Sequence, residues 1–367
     1  MLDELHDLEE VAPSDGGLVS AYPNQPIPSS LSSELQNMPF LSSTRGLGLT
    51  LVGKEIKGDF TPEHGINTIF TPVQFDNGQV CNYLLSCDEV CVADLYLRGL
   101  RGEEWRCEAQ IEEIVMSLAK RVSKYVKFSN FNELLTTTFW IIGTYLHPMF
   151  AAYPYLIFAG EKSSGKSNAL GVIANLAWNP TKKLSLPRET HLFRLTQTYS
   201  PTLAIEEYHR VIQNPNIGGD LIALLEVAWE RGGRVPRCEG DNHTVTFHEV
   251  YTPIALATRQ TVEAEDKGIT IILEKTNDRN YADAKMRLVS DEPLLREVRR
   301  DLFRLALTIQ FEVKHEYDTI QSTDSLTGRE LILYAPLLAI CKVVLPEKYE
   351  DYLAWVETRC DEKRVDQ

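Results

Sequence analysis

Apolar residues recur along this chain with changing period, and each change predicts a different kind of element. From Leu49 to about Leu97 they fall in short β-like runs (LTLVGKEI, NTIFTPVQF, NYLLS, EVCVADLYL) broken by Gly, Pro, Asp and Asn, which predicts a small strand-rich module. Over residues 103–126 the spacing turns helical, with Ile111, Ile114, Val115, Leu118, Val122 and Val126 on one face, and a second helix is expected over about 131–146. From Tyr155 to about Glu274 apolar strands alternate with helical segments, which predicts an α/β unit whose parallel sheet is covered on both faces. Residues 292–362 read as helix throughout. Residues 11–45 carry five prolines (Pro13, Pro23, Pro26, Pro28, Pro39), many serines and few aromatics, the composition of a linker or of a tail that orders on a partner. The expected division is therefore a tail over 1–45, a β-rich module over 46–102, a helical lead-in over 103–150, an α/β core over 151–290 and a helical end over 291–367.

The longest apolar stretch, Phe139 to Gly160, has the length of a membrane span. His147, Pro148 and Pro154 interrupt it, so a helix followed by a buried strand accounts for it better. The start, MLDELHDLEE, lacks the basic-then-apolar order of a secretion signal. Seven scattered cysteines form no C-x-x-C pair, and the six- and four-residue spacings of Cys81, Cys87 and Cys91 do not suit zinc. A soluble, cytoplasmic protein with reduced thiols is expected.

Hydrophobic residues make up 43% of the chain and charged residues 24%, which excludes wholesale disorder and a fibrous repeat. Lys and Arg total 37 against 52 Asp and Glu, a net charge of −15 at pH 7. Such a surface repels nucleic acid in general, so any contact with it must come from a local basic loop.

One motif carries defined chemistry. The apolar run YLIFA leads into Gly160-Glu161-Lys162-Ser163-Ser164-Gly165-Lys166-Ser167, which fits G-x-x-x-x-G-K-[ST] at every fixed position. A helix with Leu170, Ile173 and Leu176 on one face follows. Strand, glycine-turned loop and helix start together direct backbone N–H groups and the positive end of the helix at phosphate. Residues Gly160 through Ser167, with Asn168, are thus candidate contacts to ATP; Lys166 is placed to reach the β- and γ-phosphates and the Ser167 hydroxyl to ligate Mg²⁺.

Hydrolysis also requires a carboxylate for the metal and a base for water. About forty residues on, the apolar strand of PTLAIEEYHR ends in Glu206-Glu207. Glu206 is the candidate metal ligand, through water, and Glu207 the candidate base; solvated acids at a strand end are the alternative. A third apolar strand, TPIALATRQ, is expected between the phosphate loop and the acidic strand. Thr258 would orient the attacking water there and Arg259 would contact phosphate. The segment ERGGRVPRCEGDNHTVTFHEV reads as a hairpin with Arg231, Arg234 and Arg237 near its start. It suits a DNA-contacting loop, an arginine acting on a neighbouring subunit's nucleotide, or a solvated basic turn.

At these motifs the chain resembles the additional-strand P-loop NTPases, specifically the AAA+ and superfamily III helicase-like ATPases of phages, plasmids and other mobile elements. The resemblance covers about 130–345 and is carried by WIIGTYLHPMFAAYPYLIFAGEKSSGKS, THLFRLTQTYSPTLAIEEYHR, the basic hairpin and TGRELILYAPLLAICKVV. It implies a five-stranded core, a helical lid and homo-oligomeric rings, often hexameric. It also implies a cation just before the last core strand that reaches the adjacent subunit; Lys267 stands where the family commonly has Arg. Arg329 opens the helix in which such proteins place a nucleotide-sensing lid arginine. Two functions follow as expectations: a DNA-replication or helicase-like motor, or a regulatory ATP-dependent module recruiting a protein partner through its tail. A metabolic kinase is disfavoured, because no second substrate motif is visible.

Overall fold

The structure, a computed structural model, describes residues 68–74, 80–86, 110–181, 183–185, 192, 196, 201–213, 218–239, 244–259, 266–281 and 283–365. The chain divides into two compact units, 1–105 and 106–367. In the first, β1 (Thr68–Gln74) and β2 (Val80–Ser86) pair antiparallel, with Thr68 opposite Ser86 and Gln74 opposite Val80. The expected tail and most of the expected β-rich module lie outside the described residues.

The second unit opens with α1 (Ile111–Ser123), which buries Val115, Leu118, Ala119 and Val122, a stripe of helical period. Next comes α2 (Phe131–Thr144). Its Asn130 side chain accepts from the Glu133 N–H at 2.9 Å, while the Glu133 carboxylate accepts from the Ser129 N–H at 3.1 Å, so one first-turn donor and one just before the helix are satisfied. Almost every α2 residue is buried, because α1 and α8 (Gly328–Val344) pack on it. The long apolar stretch resolves as the end of α2, a turn at His147–Met149, and strand β3 (Tyr155–Ala159). No described helix is long and apolar enough to cross a membrane.

Five parallel strands form the central sheet in the order β4–β5–β8–β3–β9, where β4 is Leu184–Ser185, β5 Leu203–Glu206, β8 Ile254–Thr258 and β9 Gly268–Ile272. All five residues of β3 and of β8 are buried. Because successive strand side chains point to opposite faces, this means both faces of the middle of the sheet are covered. Helix α3 (Lys166–Leu176) packs on β3, β5 and β8; α4 (Tyr208–Ile212) contacts β8, and α5 (Gly218–Val227) contacts α4. Between β5 and β8 the chain makes the expected hairpin, β6 (Arg234–Glu239) and β7 (Thr244–Glu249). The remainder is helical: α6 (Ala284–Ser290), the long α7 (Glu292–Thr319), α8 and α9 (Tyr349–Val365). Both α6 and α7 pack on α3, so the C-terminal helices rest on the helix that follows the phosphate loop.

Candidate nucleotide site

The third apolar strand lies where the hydrophobic pattern predicts it, between the loop-bearing and the acid-bearing strands. Ala159 of β3 pairs with Thr258 of β8, and Ile205 of β5 pairs with Leu256 of β8. The sheet is parallel, so the loop after β3, Thr258-Arg259 after β8 and Glu206-Glu207 at the end of β5 all leave it at the same edge.

Backbone conformation explains the loop's sequence. Gly160 has φ +148°, and a Cβ there would lie 2.3 Å from the Leu273 carbonyl oxygen, so no side chain fits. Ser163 and Gly165 also have positive φ, 68° and 94°. The turn closes with Ser164 N–H donating to the Glu161 carbonyl at 3.3 Å, and helix α3 then starts from the Gly165 carbonyl, which accepts from Asn168 N–H at 2.9 Å. No side chain caps α3 and no acid stands in its first turn, which leaves that end of the helix open to an anion.

Lys166 arches back over this loop. Its ammonium donates to the Gly160 carbonyl at 2.6 Å, to the Ser164 hydroxyl at 3.3 Å and to the Glu161 carbonyl. Partial burial, and then the Arg259 charge, hold it below the ordinary lysine range. Glu161 is exposed and paired with Lys275 at 2.6 Å, which lowers its carboxyl pKa. Lys162 and Ser167 are exposed; Asn168 is half-buried.

A cavity of about 480 Å³ opens beside the loop. Ser163 to Asn168 form one wall; Tyr125, Val126 and Lys127 form a second, and Thr276 to Arg279 with Tyr281 a third. The Tyr125 hydroxyl donates to Asp291 at 2.7 Å, and burial pushes its pKa up to about 12. Neither of the last two walls is among the residues the sequence pattern marks. They carry no motif of their own, and chain segments some 150 residues apart meet only in the folded state.

At the acidic strand, Glu206 ends β5 half-buried. Glu207 has φ +52°, an unfavourable conformation for a residue with a Cβ. Its carboxylate is 2.6 Å from Arg210 and 3.9 Å from Arg259. Thr258 is fully buried beside Ala159, whereas the Arg259 side chain is 40% exposed. His209 is held below its ordinary pKa by burial and then by Arg259. Ser167 at the start of α3 and Glu206 at the end of β5 share the loop's edge of the sheet, and an exposed hydroxyl with one or two carboxylates suits Mg²⁺, which takes its remaining ligands from phosphate and water.

The structure does not bring Lys267 or Arg329 to this loop. Gly268, which follows Lys267, pairs with Tyr155 at the start of β3, so Lys267 lies at the opposite edge of the sheet. Its side chain is 9% exposed and ion-paired with Glu226 at 2.6 Å and Asp266 at 3.6 Å. Arg329 pairs with the same Asp266 and sits 5.8 Å from the centre of the Trp229 ring. Both cations are ion-paired within their own chain.

The basic hairpin is only partly a positive surface. Arg234 is neutralised by Glu249 at 3.0 Å; Arg231 is exposed, and its backbone N–H donates to the Ala151 carbonyl at 2.8 Å. Arg237 lies on β6 opposite Thr246, and its side chain lies outside the described residues. Phe247, on β7, is 62% exposed.

No family model matches the chain, and no curated protein matches it. Among solved structures, the SCCmec type IV Cch active helicase aligns with a TM-score of 0.39 and 15% identity over 69% of this chain and 51% of that one. The chain thus spans about half the length of that helicase. The apo C-terminal region of NrS-1 aligns at 0.34 with 9% identity, covering 67% of this chain and 71% of the other. JCV helicase bound to a thiazolopyridine compound aligns at 0.24 with 13% identity, covering 74% and 72%. These three scores all lie below 0.5.

Proposed function

We propose that this chain is a P-loop ATPase of the additional-strand class, a helicase-like motor driven by ATP and Mg²⁺. The observation that carries this reading is the shared sheet edge: an uncapped helix start with a glycine-turned loop and Lys166 faces a strand ending in two glutamates, with one polar-tipped strand between them. The amides of Ser163 to Ser167 bind phosphate, and Lys166 exchanges its loop carbonyls for the β- and γ-phosphate oxygens. Ser167 and Glu206 hold the metal, which supplies charge neutralisation on the phosphates. Glu207 orients a water and takes its proton as the water attacks the γ-phosphorus; Thr258 helps to position that water. The cavity beside the loop accepts the nucleoside.

Ring assembly, often hexameric in the proteins this chain resembles, and DNA contact through Arg231, Arg234 and Arg237 belong to the same reading. The test is ATP turnover by purified protein with and without single-stranded DNA, combined with strand displacement. Turnover that DNA stimulates supports the motor; turnover indifferent to DNA, without strand displacement, removes it. Particle size with and without a nonhydrolysable ATP analogue tests the ring.

A second reading, a regulatory ATP-dependent module that recruits a protein partner, is favoured by two observations. Arg234 is neutralised within its own hairpin, and the net charge is −15. Loss of a stoichiometric partner on deleting residues 1–45 would support it; unchanged behaviour would count against it.

A further inference from the structure

Phosphoryl transfer needs a cation on the γ-phosphate as charge spreads over its oxygens, and within this chain Lys267 lies at the opposite sheet edge, ion-paired with Glu226 and Asp266. We propose that Arg259 is that cation and acts within its own chain, held by Glu207 until a γ-phosphate takes its place. The inference rests on the ATPase reading above.

Geometry carries the assignment. Thr258 pairs with Ala159, so the next residues on the two strands, Arg259 and Gly160, leave the sheet side by side. Arg259 therefore stands between the loop and the base. Its guanidinium is 3.9 Å from one Glu207 oxygen, and its side chain is 40% exposed. Glu207 already has a closer cation, Arg210, at 2.6 Å, so Arg259 shares an acid that is largely satisfied. Lys166 makes no ion pair with the described residues and is bonded to carbonyl and hydroxyl oxygens. Lys166 and Arg259 are close enough for the arginine charge to disfavour the protonated lysine. Two neighbouring cations beside an uncapped helix start, with Glu207 shared between two arginines, suit a triphosphate.

In the reaction the water oxygen forms a bond to the γ-phosphorus, the bond from that phosphorus to the bridging oxygen breaks, and ADP leaves. The water's proton passes to the Glu207 carboxylate. Arg259 transfers no proton. It moves from Glu207 to the γ-phosphate oxygens and stabilises the charge that spreads over them, while Arg210 remains paired with Glu207.

The experiment uses the full chain as wild type, Arg259→Ala and Arg259→Lys, with steady-state ATP hydrolysis and calorimetry of ADP binding. The expected result is turnover reduced on the order of 10³-fold in Arg259→Ala, partly restored in Arg259→Lys, because an arginine on the transferring phosphoryl is worth about that much. ADP has no γ-phosphate, so its affinity stays within about threefold of wild type in both variants. Arg259→Ala is then mixed with Lys166→Ala. If Arg259 works within its own chain, no mixture recovers activity; if it works across chains, mixed assemblies regain it and the assignment is wrong. Turnover within about threefold of wild type in Arg259→Ala would overturn the proposal, and so would loss of ADP binding in both variants, which marks a structural residue. A wild-type protein that hydrolyses no ATP would instead sink the ATPase reading itself.

Discussion

Lys166 spends its ammonium on oxygens of its own loop, 2.6 Å from the Gly160 carbonyl, while burial and Arg259 depress its pKa. A triphosphate replaces those neutral acceptors by charged ones, and charge-assisted bonds are the stronger kind. Lys166→Ala is expected to weaken ATP binding by roughly 10–100-fold, about 1.5–3 kcal/mol, measured by calorimetry. Glu207→Gln keeps the side chain's shape and removes its basicity. It should bind ATP as wild type does and turn over ~10²–10⁴-fold more slowly; intact hydrolysis would show that Glu207 is not the base. At this scale the sequence was readable wherever chemistry is tied to local spacing. Gly160, Gly165, Lys166 and Ser167 form one contiguous motif, and Glu206-Glu207 close an apolar run. Partnerships made across the fold left no such trace. Nothing local to Lys267 announces that Glu226, 41 residues earlier, will bury its charge, or that Asp266 will also pair with Arg329.

Helices and strands with a strong apolar period were equally legible, among them α1, α2, β3, α3, β5, β8 and the helical end. Their mutual fastening was not, because it uses buried hydroxyls that any composition count treats as ordinary polar residues. Thr144, at the end of α2, donates to the Ile141 carbonyl at 2.6 Å and accepts from the Trp178 N–H at 2.9 Å, just beyond α3. Thr202, which leads into β5, donates to the Trp178 carbonyl at 2.6 Å. Trp178 is thereby tied to α2 on one side and to the sheet on the other, and these bonds fix the C-terminal end of the helix whose opposite end faces phosphate. Thr144→Val keeps the volume and leaves the buried Trp178 N–H without its acceptor. The expected cost is about 1–3 kcal/mol in chemical denaturation of the full chain; a change well under 1 kcal/mol would show that another group or water takes over.

Across the whole molecule, one buried cluster joins lead-in, core and C-terminal helices. His147 is 2% exposed, with its ring 5.5 Å from Tyr251 and 6.4 Å from Tyr153. The Tyr251 hydroxyl donates to the His147 and Phe150 carbonyls at 2.9 and 3.1 Å, and Phe150 packs on Tyr317 of α7 at 5.0 Å. The ring Nδ1 lies 3.1 Å from the Thr144 carbonyl, an acceptor, so the neutral ring carries its proton there. Burial, reinforced by Arg231 and opposed by that bond, lowers its pKa from 6.5 to about 4. The sign follows from the proton count. Below pH 6.5 the unfolded chain binds a proton that the folded chain refuses until about pH 4, so stability present above 6.5 is lost progressively as pH falls through that window. The full effect is about 3 kcal/mol. His147→Gln removes the group, and between pH 6.5 and 5 its unfolding free energy should fall less steeply than wild type, by up to ~1.4 kcal/mol per pH unit. If instead the folded protein's His147 titrates near 6.5 by NMR, the cluster is open to water and the lead-in is not held by a dry core.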